Sequence, residues 1–183
     1  MDSPPVSIDW DAYEIYDPGV LGLLGTLPRS EARAAFDRLM AAKSARIRLL
    51  EGLLEANGVK LDTDDAAIQR LNEWFVTHVE RDPVAPGRLL PDWYSVVNDI
   101  ALFLGEVMIA RCPNLHWEFF TWGKKSVEYQ RHVIMGFGSE DPKFQTNVDI
   151  DMAIAFLGHR VVRGLETEPD EFVHWIKNVE SRA

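Results

Sequence analysis

His116, Trp117 and Glu118 stand together in a run rich in aromatic and branched residues. In an extended strand, residues two apart project from one face, so His116 and Glu118 sit side by side where they can share a proton or a metal ion. Downstream, Glu128, Gln130 and His132 alternate in the same way, with Tyr129 and Arg131 facing the other side. A tight hairpin register brings His132 towards the first pair, which makes His116, Glu118 and His132 the candidate polar cluster. Two histidines and a carboxylate suit a divalent metal, but no helical His-Glu-x-x-His supports one. Neither a metal nor a cofactor is therefore expected. The plainer use of these residues is as satisfied polar groups at a sheet edge.

Other motifs fail on spacing. His-x-Glu opens the zinc-deaminase signature, but the Pro-Cys-x-x-Cys it needs downstream is missing, and the single cysteine, Cys112, lies upstream. Gly123-Lys124-Lys125-Ser126 ends like a phosphate-binding loop, yet Glu118 stands where its first glycine belongs. Gly136-Phe137-Gly138 has no third glycine, and no serine sits in a Gly-x-Ser-x-Gly elbow. Cys112 with His116 lacks a third orienting group and reads as a packed, inert thiol. No motif names a reaction, and a non-enzymatic protein is expected.

Charge gives a second candidate. The chain carries a net charge of −10, which disfavours nucleic acid and favours solubility. Asp62, Asp64 and Asp65 cluster where a helix should start, and they are the candidate contact for a basic protein partner. A solvated surface is the plain alternative. Six basic residues between Arg29 and Arg48 are diluted by acidic neighbours and scattered around a helix, so they form no nucleic-acid stripe. Asp99 and Glu106 are seven residues apart in an apolar stretch, on one helix face about two turns apart. Charges in such surroundings need partners, and Arg131 or Arg160 is the expected one. A pocket with a carboxyl of raised pKa is the alternative.

These residues need a scaffold. At 183 residues the chain fits one domain. Residues 1–28 form an irregular acidic segment with five carboxylates and no Lys or Arg, and residues 29–183 form a single α+β domain. Trp10, Tyr13, Ile15, Tyr16 and Val20 to Leu24 make that segment too apolar for a free tail, so it should lie along the surface or cover a groove. Apolar spacing predicts a helix over 30–57 with Phe36, Leu39, Met40, Ile47, Leu50 and Leu54 inward. A second helix from Asp62-Thr63 carries Ile68, Leu71, Phe75 and Val79, and the two make an N-terminal helical hairpin. Asp92 should cap a central buried helix reaching Arg111. Leu115–Trp122 and Val127–Phe137 read as a small antiparallel hairpin, with a turn over 138–143. Two C-terminal helices follow, one capped by Asp149 and one opened by Thr167 and Asp170. One cysteine forbids an internal disulfide, and the acidic start is unlike a signal peptide, so a cytoplasmic location is expected. Ile100 to Ala110 is interrupted by Glu106 and is short of the ~20 residues a membrane span needs.

The run Asn98 to Glu106, ending in Leu-Gly-Glu, is followed by Trp117-Glu118, Gly123-Lys124-Lys125 and Tyr129-Gln130. In this the chain resembles small bacterial α+β proteins of a family without assigned function. Some proteins of this general shape accompany toxins as immunity proteins. The resemblance spans about forty residues and implies a toxin-neutralising interaction module, with no functional residues carried over. The alternative is a small-molecule-binding protein or enzyme with its site on the hairpin. A concave pocket lined by His116, Glu118 and His132 would favour the second, and packed strands with an exposed acidic patch the first.

Overall fold

The apolar run from Val96 to Met108 makes α3 (Pro91–Arg111) the axis of the molecule, with fourteen of its residues buried. The computed structural model describes residues 8–10, 12–138 and 146–183. Among these, α1 (Arg29–Ala56), α4 (Ile150–Val162) and α5 (Glu171–Arg182) all pack on α3, and α2 (Asp65–His78) packs on α5 and α4. The α+β class is as expected. The helical pair at the N-terminal end is looser than a hairpin, because α1 lies chiefly on α3 while α2 turns to the C-terminal helices. By length and mean hydropathy (1.3) α3 could cross a membrane, but 78% of that stretch is buried inside the protein.

Helix ends follow local chemistry. Pro91 occupies the first turn of α3, where its missing N–H leaves nothing unpaired, and Leu90 is the N-cap. Asp92 is therefore one step inside the helix, in the first turn, and does not cap it as expected. Asp64 caps α2 by accepting from the Ala67 amide at 2.9 Å, and Asp149 caps α4 through Met152 N. Asp170 precedes α5 without a side-chain cap, so the capping box expected with Thr167 does not form. In α1 the buried stripe is Ala32, Ala35, Leu39, Leu50, Leu53 and Leu54, while Phe36 and Ile47 are only half-buried.

The strands are shorter than the aromatic runs suggest: β1 is His116–Phe119 and β2 is His132–Met135. They pair antiparallel with Phe119 opposite His132 and His116 opposite Met135. Gln130 ends the second run, since its φ of 65° is left-handed and takes the chain out of the strand. Residues 123–130 form turns instead. Of the turn expected over 138–143, everything past Gly138 lies outside the described residues.

One contact joins sheet and helices. The Trp117 indole lies over Gly105 so closely that a Cβ there would sit 2.1 Å from Cζ2. Trp117 Nε1 donates to Glu106 Oε1 at 2.8 Å, and Lys43 Nζ of α1 donates to the same oxygen at 2.6 Å. The Leu-Gly-Glu and tryptophan pattern thus has a packing cause. Glycine admits the ring, and glutamate holds its N–H.

Candidate functional site

The structure divides the expected polar cluster. His116 and Glu118 do share a face, with Nε2 and Oε2 3.4 Å apart, and both are largely exposed. His132 pairs with Phe119, and paired residues share a face, so it stands on the opposite side from Glu118. It is 7% exposed. Among the described residues no group of three or more His, Cys, Asp or Glu is placed to hold a metal ion.

The acidic cluster stays together at the start of α2, but its members are engaged within the chain. Asp62 is held below its ordinary pKa by the Thr63 amide and by Lys60. Asp64 caps the helix, and Asp65 pairs with Arg111 at 2.9 Å and Lys177 at 3.8 Å. Asp99 and Glu106 find partners on α1, Arg46 and Lys43, and not the expected Arg131 or Arg160. Arg131 binds Asp149 and Asp151 of the α4 N-terminus, and Arg160 reaches Glu171. Cys112 is buried, and burial pushes its thiol up.

Arg46 and Asp99 organise the most buried polar network. Asp99 accepts from Arg46 Nε at 2.9 Å, Arg46 Nη2 at 2.6 Å, Tyr13 Oη at 2.5 Å and Asn98 Nδ2 at 3.1 Å. Burial pushes the Asp99 carboxyl up while these donors pull it down. Burial also opposes the Arg46 charge, but the bonds and charge of Asp99 outweigh it and hold the guanidinium above its ordinary value. The net shift of Asp99 is upward, and the paired bonds from Arg46 favour its charged form. Tyr13 is pushed far up, first by burial and then by the Asp99 charge, so it remains a donor. The network ties down the N-terminal segment: Arg46 Nη1 donates to Glu14 O at 2.7 Å, and Tyr16 N donates to Ser95 Oγ at 2.8 Å. Further along, Arg38 holds Pro18 O at 2.9 Å, and Gln130 Nε2 donates to Leu24 O and Leu27 O. Residues 13–27 thus form a strap, fastened at Tyr13 to Tyr16 and again at Pro18 to Leu27.

Beneath the strap is a cavity of about 270 Å³. Ile15, Tyr16, Pro18 and Leu24 of the strap form one wall, and α1 contributes Ala35, Phe36 and Leu39. The first turns of α3 supply Tyr94, Ser95, Val97 and Asn98, the hairpin Gln130 and His132, and α4 Asp151 and Ala155. An apolar cavity of roughly 150 Å³ admits benzene, so this one has room for a substituted ring. His132 is the anomaly in its wall. Its Nε2 is buried with no hydrogen-bond partner, and burial holds its pKa below the ordinary value, so the ring is neutral. Buried polar atoms are rarely left unpaired without a reason.

In comparisons with known proteins, no family model, no curated protein and no solved structure matches this chain.

Sequence reasoning singled out His132 but assigned it to a surface cluster. It missed Arg46, which was read as part of a solvated face. Arg46 lies seven residues after Leu39 and four before Leu50, on the buried stripe of α1, and that spacing was the available signal.

Proposed function

We propose that the protein binds a small, largely apolar molecule in the cavity beneath the strap. The observation that carries the reading is the cavity itself, about 270 Å³ with a mostly apolar wall into which Asn98 and Asp151 bring polar groups. Small-molecule sites are concave, mostly apolar and dressed with a few polar groups, and their volumes start near ~300 Å³. The cavity has that character, and of the three hairpin residues expected to line a site it takes in His132 but not His116 or Glu118. The reading is of a binding protein. Ser95 Oγ is engaged by Tyr16 N, Tyr13 and Arg46 and has no neighbouring base to make it a nucleophile. The test is thermal unfolding with and without toluene, in the wild type and in Ala155→Phe, which fills the cavity. An upward shift in the wild type, absent in the variant, is expected. No shift in either would remove the reading.

A second reading, an interaction module for a basic protein such as the toxin implied by the resemblance, has one observation in its favour. On the strap, Leu21 and Leu23 are 93% and 76% exposed, in the same segment as the exposed Glu14 and Asp17. Such an acidic and apolar strip suits a basic partner with an apolar socket. A Leu21→Ser/Leu23→Ser protein should keep its melting temperature and lose affinity for such a partner. Unchanged affinity would end this reading.

A further inference from the structure

The polar groups lining the cavity are unequal in what they can still do. Asn98 lines the cavity and is nine-tenths buried; its Nδ2 gives one hydrogen to Asp99, and its Oδ1 accepts no hydrogen bond among the described residues. Gln130 is buried and its Nε2 is committed to the strap carbonyls of Leu24 and Leu27. The Ser95 hydroxyl is engaged, and the Tyr94 hydroxyl is bonded to His159 at 3.0 Å. Asp151 gives one carboxylate oxygen to Arg131 at 2.7 Å and keeps the other. His132 is neutral, with one N–H and one acceptor nitrogen, and its Nε2 is shut off from the cavity. Donors remain in the wall as well, the second Asn98 Nδ2 hydrogen and the Tyr16 hydroxyl.

Charge points the same way. Among the described residues no Lys or Arg lines the cavity. Arg131, beside Asp151 of the wall, is shared between Asp149 and Asp151, a group with one net negative charge. Tyr16, Phe36 and Tyr94 set aromatic rings in the wall; Arg46 and Arg33 already lie over the first two at 5.5 Å, which leaves Tyr94 for a ligand cation.

Resting on the cavity reading above, we propose that the ligand is a small amine: an apolar body, aromatic or aliphatic, bearing an ammonium head that donates to Asn98 Oδ1 and Asp151. An ammonium has donors and no acceptor, and the free oxygen of Asp151 offers it a charged acceptor. A carboxylate or phosphate head of the same size meets acceptors and negative charge and is rejected, because a mismatched buried charge is costly.

Three probes of one shape separate the possibilities: 2-phenylethylamine, 2-phenylethanol and phenylacetate, titrated into the full chain by calorimetry, with toluene as the headless reference. The amine should bind about tenfold more tightly than the alcohol, and phenylacetate should not bind detectably. In Asp151→Asn, which keeps the side-chain shape while Asp149 still holds Arg131, the amine should fall to parity with the alcohol, and the alcohol should be unchanged. If all three heads bind alike, or phenylacetate binds best, the amine assignment is wrong while the cavity reading stands. If none of the three binds and toluene does not either, both fall. The comparison of heads on the wild type decides the matter even if Asp151→Asn does not fold.

Discussion

Replacing Gly105 by alanine sets two effects of opposite sign against each other. Alanine is the better helix former by about 1 kcal/mol, and Gly105 lies inside α3, so propensity alone predicts stabilisation. The Trp117 ring occupies the space that a methyl needs, with Cζ2 at 2.1 Å and Cη2 at 2.5 Å from the added carbon. Overpacking a filled site costs about 1–3 kcal/mol. If the ring shifts, its bond to the Glu106 carboxylate is lost, worth about 1.5–3 kcal/mol for a charged acceptor. Glu106 is partly exposed, which places this term at its lower end, so the net loss is about 2–3 kcal/mol. Gly52 of α1 is the internal control. Nothing lies within 4 Å of a Cβ placed there, so Gly52→Ala should gain about 0.5–1 kcal/mol. Urea unfolding followed by far-UV circular dichroism measures both without relying on tryptophan emission. If Gly105→Ala is as stable as Gly52→Ala, the Trp117 ring does not occupy that space, and the account of how the hairpin docks on α3 is refuted.

Asp99→Ala leaves the Arg46 guanidinium, 7% exposed, without its partner, and should cost about 3–5 kcal/mol. The paired change Arg46→Met/Asp99→Leu should cost much less in the same urea titration, and equal losses would mean that the pair is not coupled. His132 has a depressed pKa in the folded protein. Below about pH 6.5 the unfolded chain takes up a proton that the folded one refuses. The stabilisation from keeping it neutral is complete above that pH and is lost as pH falls towards the folded pKa. His132→Leu should remove this slope below about pH 6.5 relative to the wild type, and at pH 7 should gain about 1 kcal/mol by deleting an unpaired buried nitrogen. His159 is depressed in the same direction, by burial and then by Arg163 and Arg88, so the difference between the two proteins is the quantity to read. An unchanged slope would show that His132 is not the group responsible.

The helices were legible because apolar spacing at three and four residues directly reflects which face is buried. That logic located α1, α3, α4 and α5 to within a few residues and marked α3 as the buried central helix. It failed where one residue's backbone decided the outcome. Composition over Val127–Phe137 says strand, but Gln130 enters the left-handed region and shortens β2 to four residues. The site was half legible. His132 was recognisable as chemistry, but its face depended on a register set by backbone pairing, which side-chain alternation alone does not fix. Arg46 was hidden by its type, since a charged residue on an apolar stripe reads as exposed until Asp99, fifty-three residues away in sequence, supplies its partner. The strap has no period to read, and only its aromatic and aliphatic content showed that it covers something.

The most direct test of the central claim is a methyl-resolved NMR titration of the full chain with 2-phenylethylamine and toluene. The cavity account predicts saturable shifts concentrated at Ile15, Leu24, Leu39 and Val97, whose side chains line one space from three separate elements, and their loss in Ala155→Phe. Shifts confined to the exposed Leu21 and Leu23, or none at the four cavity residues at saturating probe, would contradict it.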